Sequence, residues 1–280
     1  MSQSVPPGVA VKLCVLGNSA SAGNGLADQS QAWPWVIGRE IEARIGEPVE
    51  VTHVSVVASG PRAADYALDK VEAVDPDMVV VVIGTYLCCI GTVSEAVRHR
   101  FGNRMHRWYL KTERRFDART RTAPGISGGA NRCGRSLLRK IIGTRPYATL
   151  DDVSTVFGEI LRQLAQREGT TVVAFAEPSW PVATDAANPG AIPTWREVTR
   201  RAREVAADHH LLWAETDASY ARVPDRDSLY QPDGVHKTAE GMQVQADALL
   251  EVLLQPAHAI VPPTSAPVVL RERAGAAGEI

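Results

Sequence analysis

VAVKLCVLGNSASAGNG (residues 9–25) passes abruptly from an apolar, β-branched run to a cluster of small residues. The run reads as a buried strand of about residues 10–16. Gly17, Gly23 and Gly25 mark a tight turn where something approaches the main chain, because glycine accepts φ > 0 and has no Cβ to clash. Ser19 at its centre has two readings. It is a helix N-cap, a role serine favours, or a nucleophile held on a strand-to-helix turn among backbone N–H groups.

Working outward, strands and helices alternate. WPWVIGREIEARIG (33–46) reads as a helix, VEVTHVSV (49–56) as a strand, and RAADYALDKVEAV (62–74) as a helix. DMVVVVIG (77–84) is apolar and β-branched, as expected of a central parallel strand covered on both faces. A helix over 150–169, a strand in TTVVAFAEP (170–178), a helix in 194–210, a short strand in LLWAET (211–216) and a helix over 238–254 follow. The fold class is α/β, a flavodoxin-like three-layer α/β/α sandwich around a central parallel sheet. Residues 1–255 are read as one domain. It includes a basic helical insertion at about 88–148, far longer than an ordinary β-to-α connection. The Pro-, Ala- and Gly-rich tail 256–280 is expected to be flexible.

With 45% hydrophobic and 22% charged residues the chain has the composition of an ordinary globular protein. No signal peptide is recognisable and no apolar run reaches the roughly 20 residues of a membrane span. Cys14, Cys88, Cys89 and Cys133 match neither a zinc site nor a disulfide framework. Cys14 and the adjacent Cys88–Cys89 read as small core residues. A cytoplasmic location is expected. The net charge of −2 conceals an asymmetry: residues 98–145 carry 14 Lys/Arg against Glu113 and Asp117 alone. The basic segment either faces the acidic remainder of the fold or meets an anionic partner.

Ligands of doubly wound sheets gather outside the carboxyl ends of the strands. GNSASAG, ASG (58–60), IGTYL (83–87) and QPDGVH (231–236) all fall at that edge. Asp233 and His236 lie three residues apart in a turn leading into a helix. This spacing lets the carboxylate fix the imidazole tautomer while the other ring nitrogen reaches a serine hydroxyl. Ser19, Asp233 and His236 are therefore candidate triad members. The other reading makes Asp233 a turn former and His236 a surface or capping histidine.

The chain resembles the SGNH hydrolases, the GDSL-like lipase/acylhydrolase superfamily, over residues 10–90 and 150–255. Gly17–Gly23 matches the GDSxxxG block, Gly60 the glycine of the second block, Gly84–Leu87 the GxND block, and Asp233–His236 the DxxH block. The resemblance implies Ser19 as nucleophile, His236 as base, Asp233 as its orienter, and the N–H groups of Ser19 and Gly60 as oxyanion-hole donors. It implies an esterase or acylhydrolase working through an acyl-serine, without metal or organic cofactor, on a small-molecule or lipid acyl ester. Two positions depart from the pattern. Asn18 stands where the family has Asp, and Tyr86 where it has the Asn that donates the third oxyanion hydrogen bond. Loss of such a donor costs about 10²–10³ in kcat. The Tyr86 hydroxyl, Asn24, Thr85 or a residue of the insertion is expected to replace it. An acyltransferase using the same triad is the alternative among enzymes. A catalytically impaired binding relative is the alternative outside them.

Val97, Phe101, Met105, Trp108, Thr112 and Phe116 recur at steps of three or four among basic residues, with Gly102 a weak break. Either this stripe packs on the core as a lid over the active site, or segment 98–145 docks on an anionic surface or an acyl carrier. No nucleic-acid-binding module accompanies the charge.

Overall fold

The computed structural model describes residues 10–60, 62–122, 141–181, 184, 186 and 188–255, with the backbone alone over 113–122. The tail 256–280 and Cys133 lie outside the described residues.

Five strands form one all-parallel sheet in the order β2-β1-β3-β4-β5. They are β1 (Val11–Gly17), β2 (Val49–Ser55), β3 (Met78–Ile83), β4 (Thr171–Ala176) and β5 (Leu212–Trp213). The connecting helices are α1 (Trp33–Ile45), α2 (Arg62–Val74), α3 (Tyr86–Cys89), α4 (Val93–Thr122), α5 (Leu150–Leu164), α6 (Ala191–Asp208), α7 (Thr216–Ala221) and α8 (Ala239–Leu253). In β3 every residue is buried. Met78, Val80 and Val82 enter the core under α1 and α8, while Val79, Val81 and Ile83 enter the core under α2, α5 and α6. A strand buried on both faces has no polar side to alternate with, hence the continuous valine run. The flavodoxin-like three-layer reading holds.

The chain runs from β1 out to β2 and returns to β3 on the other side of β1. That reversal opens a crevice at the carboxyl ends of β1 and β3, where such sheets take their ligands. Ser19 leaves β1 and Gly84 leaves β3 at this crevice.

Local signals set several helix starts. Thr149 and Asp152 form a reciprocal capping box at α5, each side chain taking the other's backbone N–H at 3.0 Å. Thr238 caps α8 by accepting from Gly241 N. The helix after β1 begins only at Trp33, behind Ala32 and without a side-chain cap. The N-cap reading of Ser19 is therefore set aside.

The basic helix corrects two expectations. Gly102 takes φ 78°, ψ 174°, dividing α4 into two helical stretches. Val97 is buried, but Phe101, Met105 and Trp108 are 51%, 45% and 63% exposed, so the stripe does not pack on the core beyond its first turn. Among the described residues of the insertion after Ile90, none lines the crevice. Cys14, Cys88 and Cys89 are buried free thiols, as expected of core residues. Burial pushes the Cys14 thiol up to about 11. Among the described residues no helix is long and apolar enough to cross a membrane.

Candidate active site

The turn after β1 is built from its own short side chains. Asn18 Oδ1 accepts from Ala20 N at 2.9 Å and Ser21 N at 3.3 Å, an Asx turn. Ser21 is fully buried; its hydroxyl accepts from Asn18 N at 2.7 Å and donates to Asn18 O at 2.9 Å. With its hydrogen so used, Ser21 Oγ accepts from His53 Nε2, 2.9 Å away on β2. His53 stacks on Trp35, and burial lowers its pKa, so the neutral Nε2–H imidazole is favoured. Gly17 is required by this crowding, since a Cβ there would lie 2.0 Å from Ser21 Oγ and 2.8 Å from His53 Nε2. Ser19, between the braced residues, is left exposed.

The second half of the site comes from the loop before α8. His236 Nδ1 lies 2.6 Å from Asp233 Oδ2, and His236 Nε2 lies 3.3 Å from Ser19 Oγ. Asp233 Oδ1 accepts the N–H groups of Val235 and His236 at 2.9 Å each. Partial burial raises the Asp233 pKa, but the hydrogen bonds from the His236 ring and these two amides outweigh it, leaving the carboxyl below its ordinary range. Asp233 thus both shapes the turn and orients the ring. His236 caps nothing, because Thr238 holds that position.

Below this loop sits an ion pair that sequence reasoning missed. Lys237, 1% exposed, places Nζ 3.1 Å from Oε1 of Glu177, 7% exposed, though not aligned for a hydrogen bond with it. Lys237 Nζ also lies 5.9 Å from the centroid of the Tyr230 ring. Beside it, Arg226 Nη2 donates to Asp217 Oδ1 and Ser179 O at 2.6 Å, and Tyr230 donates to Ser179 O at 2.6 Å. These bonds tie the loop before α8 to the end of β4. The available signals were the acid of AFAEP at a strand's carboxyl end and the lysine directly after His236.

Ser19, Asp233 and His236 open into a cleft of about 1340 Å³. Val56, Val57, Tyr86, Leu87 and Ile90 form an apolar side; Asn24, Glu177, Asn188, Asp227 and Gln231 form a polar one. Tyr86 lines the cleft at the first turn of α3. Gly60 is half-buried between β2 and α2 and is not among the cleft-lining residues. Thr85 is buried, its Oγ1 sealed from solvent and without a hydrogen-bond partner among the described residues, so it does not reach the cleft. No group of three or more His, Cys, Asp or Glu among the described residues could hold a metal ion.

Comparison with known proteins agrees with this fold. The profile of the GDSL-like Lipase/Acylhydrolase family matches residues 15–244. A catalytic mutant of Axe2, an acetylxylan esterase from Geobacillus stearothermophilus, superposes with a TM-score of 0.54 at 14% identity, covering 87% of this chain and 94% of that one. LAE5, an alpha/beta hydrolase enzyme from the metagenome of Lake Arreo, Spain, gives 0.51 at 15% identity, covering 87% and 95%. The lipase/acylhydrolase from Enterococcus faecalis gives 0.50 at 16%, covering 86% and 94%. No curated protein sequence matches the chain. The chain belongs to the GDSL-like lipase/acylhydrolase family, whose members are ester-hydrolysing enzymes.

Proposed function

We propose that this protein is a serine esterase that cleaves carboxylic esters through an acyl-serine intermediate. The observation carrying the proposal is the exposed Ser19 hydroxyl 3.3 Å from a histidine nitrogen whose ring partner is fixed by Asp233. In the first half, Ser19 Oγ bonds to the ester carbonyl carbon and its proton passes to His236 Nε2. The leaving alcohol takes that proton as the tetrahedral intermediate collapses. In the second half, water gives a proton to His236 and attacks the acyl-serine; Ser19 recovers the proton as the acid leaves. Asp233 holds the ring tautomer and stabilises the imidazolium without itself taking up the proton. The Ser19 N–H serves as an oxyanion donor.

The test is labelling by a fluorophosphonate probe. Labelling is expected in the wild type, absent in Ser19→Ala and strongly reduced in His236→Ala. A well-folded wild type that does not label would overturn the assignment.

A docking role for the basic helix is part of the same reading. Trp108 and Met105 lie exposed on α4, with Arg104, Arg107 and Lys111 also exposed within a turn of Trp108. An exposed indole bordered by cations suits an anionic lipid interface better than a soluble carrier, because the ring and the charges then have separate layers to enter.

A further inference from the structure

The two departures from the family pattern, Asn18 and Tyr86, meet at one place. Asn18 Oδ1 faces two backbone N–H donors, Ala20 N and Ser21 N. A carboxamide flipped end for end would set donors against donors, so the hydrogen bonds fix the oxygen on the turn side. Asn18 Nδ2 then points the other way. It makes no hydrogen bond among the described residues and lies 3.7 Å from where a Cβ on Gly84 would be. Gly84 is the glycine of the block whose third-donor position is filled by Tyr86. Asn18 and Gly84 both line the cleft, at the ends of the two strands that flank the crevice.

We infer that Asn18 Nδ2 is an oxyanion-hole donor of this enzyme, supplying the side-chain amide that the family pattern places at position 86. The inference rests on Ser19 being the nucleophile. As Ser19 Oγ bonds to the carbonyl carbon, the C=O π pair moves onto the carbonyl oxygen. Stabilisation then requires N–H groups on the side of the carbonyl away from the imidazole. Asn18 Nδ2 lies toward Gly84, whose Cβ position would be 3.6 Å from the Phe157 ring, in the α2, α5 and α6 layer. His236 is delivered by the chain entering α8, in the opposite layer. Asn24, also on the cleft, sits on the imidazole side, where its carbonyl accepts from Gln231 Nε2. Aspartate at position 18 would form the same Asx turn but has no hydrogen to give and would add a negative charge beside the developing oxyanion.

The test is Asn18→Asp, alone and combined with Tyr86→Asn, on a chromogenic short-chain ester, with far-UV circular dichroism and melting as fold controls. Asn18→Asp keeps the turn's acceptor and is expected to lower kcat about 10²–10³-fold with KM changed less than threefold. Binding of an alkyl boronic acid, which presents an oxyanion on Ser19, is expected to weaken in parallel. Tyr86→Asn added to Asn18→Asp supplies a donor from the other side of the crevice and is expected to recover at least tenfold of the loss. The inference is overturned if folded Asn18→Asp keeps kcat within threefold of wild type, or if its loss is not recovered in the folded double variant. Ser19→Ala in the same assay separates the two proposals. Loss of activity there with an active Asn18→Asp sinks the donor alone, whereas an active Ser19→Ala sinks the nucleophile as well.

Discussion

Replacing Lys237 by Met keeps the length of the side chain and removes its charge, leaving the Glu177 carboxylate buried opposite a thioether. Both partners are almost fully enclosed, at 1% and 7% exposure, and 3.1 Å apart. Breaking such a pair by removing one partner costs about 3–5 kcal/mol. An independent limit comes from letting the carboxyl take up a proton instead. From a reference near 4.3, neutralising a glutamate costs about 4 kcal/mol at pH 7 and about 1 kcal/mol at pH 5, at 1.36 kcal/mol per pH unit. The destabilisation of Lys237→Met is therefore expected to be about 3–4 kcal/mol at pH 7 and about 1 at pH 5. For a chain of this size that is roughly 6–16 °C in Tm at pH 7 and 2–4 °C at pH 5. The sign follows from linkage: the variant's folded state gains a proton as pH falls, so its deficit shrinks toward acid. Glu177→Gln added to Lys237→Met removes the ionisable group and is expected to flatten that pH dependence. Urea or thermal unfolding of the three proteins at pH 5, 6 and 7 decides it. A pH 7 loss under about 1 kcal/mol, or one equal at pH 5 and 7, would refute the reasoning.

Two further outcomes are expected. Because burial depresses the His53 pKa, the unfolded chain binds a proton below about pH 6.5 that the folded chain resists. Stability therefore rises with pH from the folded pKa up to about 6.5, and this contribution is complete above it. His53→Gln keeps an amide N–H for Ser21 and should melt with a shallower pH slope between 5 and 7; coincident slopes would exclude His53 as a source. Phosphatidylserine vesicles should sediment the full-length protein at low salt and release it as salt rises, with Trp108→Ala binding about five- to tenfold more weakly. Equal binding to neutral phosphatidylcholine vesicles, or no effect of Trp108→Ala, would remove the docking role of α4.

What the sequence disclosed depended on how local the deciding interactions are. The run 77–84 is legible because a strand covered on both faces admits only one composition. Asp233 and His236 are legible because their contact closes within a single turn. The Ser21–His53 brace joins residues 32 apart and the Glu177–Lys237 pair joins the end of β4 to the loop before α8, so neither leaves a spacing to read. The three- and four-residue steps from Val97 to Trp108 suggested one apolar face. That reading took Gly102 as only a weak break, whereas the backbone there is non-helical and separates the two stretches, and Met105 and Trp108 lie outward. Asn18 and Tyr86 were visible as two separate departures. Only the direction of the Asn18 amide, set by Ala20 N and Ser21 N, connects them.

The hydroxyl of Ser19 and the ring that would activate it are separated by 217 positions along the chain. Translation at about 5–20 residues per second needs roughly 10–40 s to cover that interval. Throughout it the emerging polypeptide carries an ordinary serine of no special reactivity. In the proposed mechanism, activation waits for the loop before α8 to reach Ser19 and close that long stretch of chain. In that mechanism the nucleophile therefore stays unactivated until the chain beyond His236 has emerged and folded.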